Sequence, residues 1–137
     1  MLYTSYYGNP HLDQNKVFPV QVSNSAPEGF PIKYVLKEVV PSWKDIVEPY
    51  KENLLSEVEY TVKYKKMLDS QEFTIRIMLE EIKEKASTLG LQDIVLLCYE
   101  KPGRFCHRHI LAEWIKEKAG EEVEEYVNPD TFEAKLF

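Results

Sequence analysis

The side chains of greatest chemical reactivity in this chain lie in one stretch, 94–115, which reads IVLLCYEKPGRFCHRHILAEWI. It holds both cysteines of the sequence, together with a glutamate and basic residues. Thiols and carboxylates serve enzymes as nucleophiles, and histidine transfers protons near neutral pH. We therefore treat this stretch as the candidate functional site. Its candidate catalytic residues are Cys98, Glu100, Cys106 and His107.

The pattern around these residues predicts a buried strand, a short turn and a helix. Asp93 to Cys98 is an almost continuous apolar run, typical of a strand buried on both faces of a parallel sheet. Apolar residues at helical spacing follow from Cys106 to Ala119, and Gly120 ends the helix. Ligands of open parallel sheets bind beyond the carboxyl ends of the strands. The reactive residues should lie at such an end.

The amino terminus of the predicted helix indicates how these residues would act. Its free N–H groups and dipole attract anions and lower the pKa of a nearby thiol. We expect Cys106 or Glu100 to act as a nucleophile and His107 to transfer protons. Arg108 is expected to hold a phosphate or carboxylate of the substrate. The structural alternatives are that Cys98 and Cys106 are small core side chains and that Arg108 pairs with Glu100 or Glu113.

Two earlier strands are predicted to reach the same edge of the sheet. Leu2 to Tyr7 is rich in β-forming residues and stops at a Gly-Asn-Pro turn. Val17 to Ser23 predicts a second strand, in which Pro19 favours an edge or end position because it donates no ladder hydrogen bond. The further residues expected to bind substrate at these strand ends are Ser5, Tyr6 and Asn24.

The middle of the chain predicts three helices. Ser42 with Asp45, and Ser56 with Glu59, have the form of helix starts in which a side chain caps the first turn. The predicted helices end at Tyr50, with a break near Pro49, at Leu68 and at Leu89. The second carries an apolar stripe, which we interpret as core-facing rather than as a ligand wall: Tyr60, Tyr64, Met67 and Leu68.

The order strand, strand, helices, strand, helix, strand predicts a small Rossmann-like α/β fold, with a mainly parallel sheet and helices packed on its faces. Ile32 to Val40 fits either a short strand or irregular chain, and Glu122 to Val127 predicts a last short strand. We predict one domain over residues 1–127, followed by a loosely held tail at 128–137.

The composition limits the classes of function. The net charge is −6, whereas nucleic-acid binders carry clustered Lys and Arg, so a small anionic ligand is favoured over nucleic acid. No apolar run approaches the roughly 20 residues that cross a bilayer, and the start has no signal-peptide pattern. We expect a cytoplasmic protein without a membrane partner and with two free thiols. The sequence does not indicate an oligomeric state.

Several common site motifs are missing from the sequence. The spacing C-x7-C-H-x-H matches no common zinc arrangement, and adjacent helical residues point in different directions, so we expect no metal and no cofactor. The segment KPGR is not a P-loop, and no GxGxxG or GxSxG is present. Cys106 and Arg108 are two positions apart, which excludes a tyrosine-phosphatase loop with its six-residue spacing.

The segment LLCYEKPGRFCHRHILAEWI resembles the signature of the DUF488 family, a set of small bacterial and phage proteins of uncharacterised function. The family pattern is Leu-Cys-x-Glu, a short loop and Cys-His-Arg before a helix. Cys98, Glu100, Cys106, His107 and Arg108 match it. The segments YTSYYGN and PSWKDIVEPYKENLLSEVEYTVKY are also similar to longer members. The resemblance implies an α/β fold and a site at these five residues, and it names no reaction.

Three functions are compatible with this site. The first is a small enzyme acting on a nucleotide-like or other anionic small molecule, and the presence of two thiols and a carboxylate favours it. The second is a non-catalytic nucleotide or small-anion binding module, such as a sensor or a phage sequestering protein. The third is a structural role, in which the cluster locks the loop.

Overall fold

The computed structural model describes residues 1–13, 15–100 and 104–126. Its strands are β1 Leu2–Tyr6, β2 Val17–Gln21, β3 Tyr34–Val35, β4 Asp93–Cys98 and β5 Val123–Glu125. They form one parallel sheet in the order β3-β2-β4-β1-β5. The predicted α/β fold is therefore confirmed, with the strand that carries Cys98 at the centre. The predicted tail at 128–137, Val127 and the loop residues 101–103 lie outside the described residues.

The helices are α1 Glu48–Lys51, α2 Glu57–Asp69, α3 Glu72–Thr88 and α4 His107–Ala119. A π-helical turn, Trp43–Val47, leads into α1, and the Ser42 hydroxyl accepts a hydrogen bond from the Asp45 N–H at 3.2 Å, as the sequence predicted. The segment from Ile32 to Val40, for which the sequence predicted either a short strand or irregular chain, contains both the strand β3 and a short 3₁₀ turn, Lys37–Val39. Within the described ranges, no helix has the length and apolar character needed to span a bilayer.

The central strand β4 places its side chains alternately on the two faces of the sheet. Ile94, Leu96 and Cys98 belong to the larger core, which also contains the buried apolar and aromatic residues of α2, α3 and α4. Val95 and Leu97 belong to a smaller cluster on the other face, covered partly by loop side chains. Because strand side chains alternate with a period of two, the apolar run in this strand reflects burial on both faces.

Of the two positions predicted for Pro19, the edge position is wrong, because β2 lies inside the sheet between β3 and β4. The Pro19 carbonyl accepts from the Lys33 N–H at 3.1 Å, on the side of β3. In a strand, the N–H and C=O of one residue face the same neighbour, so the missing donor of Pro19 also faces β3. Only Val20 and Gln21 of β2 pair with that short strand. Pro19 therefore lies just before the β2–β3 ladder begins, where no ladder hydrogen bond needs its N–H.

The start of α2 confirms the predicted capping box and provides a test of it. The Ser56 hydroxyl accepts from the Glu59 N–H, and the Glu59 carboxylate accepts from the Ser56 N–H, each at 3.1 Å. We expect Ser56→Ala to lower the free energy of unfolding by about 1 kcal/mol, since an N–H of the first turn loses its acceptor. Urea denaturation measures this. Ser87→Ala, an exposed change inside α3, should cause no loss, and equal losses in the two variants would contradict the assignment.

Candidate functional site

The carboxyl ends of β1, β2 and β4 meet at one edge of the sheet. The backbones remain paired just beyond the strands: the Tyr7 N–H donates to the Cys98 carbonyl at 3.0 Å, and the Val22 N–H donates to the Leu97 carbonyl at 3.1 Å. Cys98 therefore lies between the chain segments that leave its two neighbouring strands. Helix α4 begins beside this point, with Cys106 as its N-cap residue.

A cavity of about 330 Å³ opens at this edge, a size typical of small-molecule sites. Four of the residues selected from the sequence for catalysis line it: Cys98, Glu100, Cys106 and His107. Five further lining residues are aromatic: Trp43, Tyr50, Tyr60, Tyr99 and Phe105. Reactive groups and flat apolar surfaces therefore share one cavity.

The two cysteines form a pair, which corrects the expectation of two free thiols. Their sulfur atoms are in contact, and both side chains are buried. The Cα atoms of Cys98 and Cys106 are 7.9 Å apart, whereas disulfides usually span about 4.4–6.8 Å. The two sulfurs thus lie together where the carboxyl end of β4 meets the start of α4.

The His107 ring is held in one tautomer. Its Nε2 lies 2.6 Å from the Val22 carbonyl oxygen, and since a carbonyl only accepts, Nε2 carries the proton. The other nitrogen, Nδ1, faces the Cys106 sulfur at 4.0 Å. Burial, reinforced by the nearby Arg108 charge, lowers the pKa of His107 to about 4 despite the Val22 hydrogen bond. The neutral ring therefore presents a lone pair toward the sulfurs.

Arg108 is fully buried and does not line the cavity. Its guanidinium donates to the Cys98 sulfur at 3.0 Å and to the Glu100 carbonyl oxygen. It also pairs with the Glu125 carboxylate, through Nε at 3.2 Å and Nη2 at 3.1 Å. The Thr4 hydroxyl donates to the same carboxylate at 3.0 Å. Arg108 thereby connects β4, α4 and β5, and Glu125 was not among the partners predicted for it.

The other residues selected for substrate binding occupy different positions. Asn24 lines the cavity, and its amide donates to the Pro41 carbonyl at 3.2 Å. Ser5 is buried, with its hydroxyl accepting from the Asn9 amide at 3.0 Å. The Tyr6 ring lies 6.0 Å from the Arg108 guanidinium carbon. Neither residue is among those that line the cavity, and as consecutive residues of β1 they project from opposite faces of the sheet, with only Tyr6 near Arg108.

Several cavity residues lie in the segment 43–60 and were not predicted from the sequence. Trp43, Tyr50 and Lys51 line the cavity, although this segment was interpreted only as a helix. Tyr60, assigned to a core-facing stripe, is nearly buried and also lines it, with its ring 5.0 Å from that of Phe105. A cluster of aromatic residues around the proline-interrupted helix was the available signal, but it does not reveal which edge of the sheet it will cover.

A parallel sheet with reactive side chains beyond its central strand defines a small Rossmann-like α/β protein whose candidate site lies where such folds bind ligands. The family model described as the active DUF488-N3 subclade, DUF488-N3a, matches residues 2–119. The chain belongs to the DUF488 family, so the resemblance noted in the sequence is confirmed. No curated protein and no solved structure matches the chain.

Proposed function

We propose that this protein is a small enzyme that acts on a nucleotide-like or related anionic small molecule. The observation that carries the proposal is the cavity in which a sulfur–imidazole cluster and aromatic walls meet. Aromatic side chains stack on bases of any sequence, which suits a ligand with a flat ring. Lys51 lines the same cavity and supplies a positive charge for an anionic group. Two sulfurs and a carboxylate in one cavity are more than the binding of an anion requires, which favours turnover over binding alone.

We assign the chemistry to two parts of the cavity. Cys98, Cys106 and His107 form the reactive centre, because their sulfur and nitrogen atoms converge on one point. Glu100 is the group that transfers protons, since its side chain is exposed and lines the same cavity. Arg108 has its hydrogen bonds directed at protein atoms, so we assign it to positioning the reactive centre rather than to holding the substrate.

Native mass spectrometry of freshly purified protein, followed by incubation with a panel of nucleosides and nucleotides, tests the proposal. We expect a ring-containing anionic molecule to bind and to be converted to a product of different mass. If the same molecule is bound tightly and always recovered unchanged, the protein is a binding module and the enzyme proposal is wrong. If none of the panel binds, the proposed ligand class is wrong.

The aromatic wall provides a sharper test through Phe105. Its ring lies 5.2 Å from that of Tyr50 and forms part of the cavity wall. We expect Phe105→Ala to weaken binding of the nucleotide found in the panel by about 1–3 kcal/mol, or roughly 5–150-fold in Kd, because a stacking surface is lost. Isothermal titration calorimetry measures the change. The control is Phe73→Ala, an exposed ring on α3, which should leave Kd unchanged. Equal affinities for the two variants would contradict stacking at this wall.

A further inference from the structure

The cavity floor brings together three atoms that are strong metal ligands. The sulfurs of Cys98 and Cys106 and a ring nitrogen of His107 all lie within 4.8 Å of one another. Two thiolates with one imidazole are a donor set that zinc accepts, and enzymes with three protein ligands leave a fourth position for water or substrate. All three residues line the cavity, so a fourth position would face the space that Glu100 also lines.

The surroundings of the ligands match those of a metal site. The His107 Nε2–H donates to the Val22 carbonyl at 2.6 Å, which orients the ring and leaves Nδ1 free to coordinate. The Arg108 guanidinium donates to the Cys98 sulfur at 3.0 Å, and a neighbouring positive charge favours the thiolate that binds metal. Both outer contacts are of the kind that fix ligand orientation and charge in metalloproteins.

Local backbone geometry removes the objection that adjacent helical residues point in different directions. Cys106 is the N-cap of α4, with an extended backbone at φ −150° and ψ 141°, so Cys106 and His107 are not two consecutive helical positions. The Cα atoms of Cys98 and Cys106 are 7.9 Å apart, beyond the usual disulfide range. Thiolates at about 2.3 Å from a tetrahedral zinc lie about 3.8 Å apart, so the two sulfurs would separate from their present contact when they bind the ion.

We infer that Cys98, Cys106 and His107 form a site for a thiophilic divalent ion such as zinc, with one coordination position open to the cavity. This inference deepens the proposed function and rests on it only for the part that the ion plays in turnover. An ion held there would lower the pKa of a bound water or polarise an oxygen of the substrate. Glu100 is then the carboxylate available to accept the proton of that water.

Metal titration of reduced, chelator-treated protein tests the inference without any substrate. We expect one Zn²⁺ per chain by native mass spectrometry, and Co²⁺ in its place should give sulfur-to-cobalt charge-transfer absorption. Loss of a side chain that only hydrogen-bonds a metal ligand lowers metal affinity by roughly 10–100-fold. Cys106→Ser and His107→Gln remove a ligand itself, so each should weaken Zn²⁺ binding by more than that. Serine is a good N-cap, so Cys106→Ser should keep α4 intact, and circular dichroism checks this.

His109→Gln is the matched control, because His109 lies in the same helical turn, is exposed, and has its Nδ1 3.9 Å from Glu125 rather than in the cluster. It should bind Zn²⁺ as the wild type does. Failure of the reduced wild type to take up Zn²⁺, or full binding by both cluster variants, would overturn the metal site. Full turnover by metal-free protein refutes an essential ion while leaving the enzyme proposal intact. Zinc uptake without binding or conversion of any nucleotide refutes the enzyme proposal alone.

Discussion

Replacing Cys106 with serine is expected to reduce turnover by about a thousandfold or more while leaving the protein folded. The Cys106 sulfur lies at the centre of the reactive cluster, in contact with Cys98 and 4.0 Å from His107 Nδ1. A serine hydroxyl ionises far less readily than a thiol and is a poorer ligand for a soft metal ion. Serine also occupies the N-cap position of α4, where it is a favoured residue. Turnover of the nucleotide found by mass spectrometry measures the effect, and thermal unfolding confirms the fold.

Two companion variants make the Cys106 result interpretable. Glu100→Gln should also slow turnover strongly, because the amide cannot transfer protons as the carboxylate does. His109→Gln should retain wild-type turnover, since His109 does not line the cavity. If turnover survives both Cys106→Ser and Glu100→Gln, the reactive centre has been assigned to the wrong residues.

Replacing Arg108 with alanine is expected to cost about 3–5 kcal/mol of folding stability, because one partner of a buried ion pair is removed. Arg108 is fully buried, and its partner Glu125 has only about a quarter of its side chain exposed, 24%. The substitution leaves that carboxylate with Thr4 and the His109 ring but without the guanidinium charge, and it also removes the donor to the Cys98 sulfur. The free energy of unfolding, measured in urea, tests the expectation.

Other substitutions separate the ion pair from the general loss of a large side chain. Arg104→Ala, an exposed change just before α4, should leave stability unchanged. Arg108→Lys should recover only part of the loss, since an ammonium cannot reproduce the forked contacts of the guanidinium. The double variant Arg108→Ala, Glu125→Gln should be more stable than Arg108→Ala alone, because no unpaired charge remains. Unchanged stability of Arg108→Ala together with lost nucleotide binding would instead support the ligand role first predicted for Arg108.

Elements governed by neighbouring residues could be predicted well from the sequence. The capping box of α2 depends on Ser56 and Glu59, three positions apart, and the end of α4 depends on the positive φ of Gly120, 65°. The apolar run of β4 predicted its burial on both faces and therefore its central position. These patterns could be interpreted because the interactions that produce them lie within a few residues along the chain.

The sequence alone thus determined the fold class, the family and the chemical content of the site at 98–108. Only the tertiary structure decided how those side chains are used. It placed Pro19 where a missing donor costs no ladder bond, and it paired Arg108 with Glu125, 17 residues away, instead of with a ligand. It also supplied the cavity walls from the segment 43–60. These outcomes depend on contacts between segments distant in sequence, which local propensity and hydrophobic periodicity do not encode.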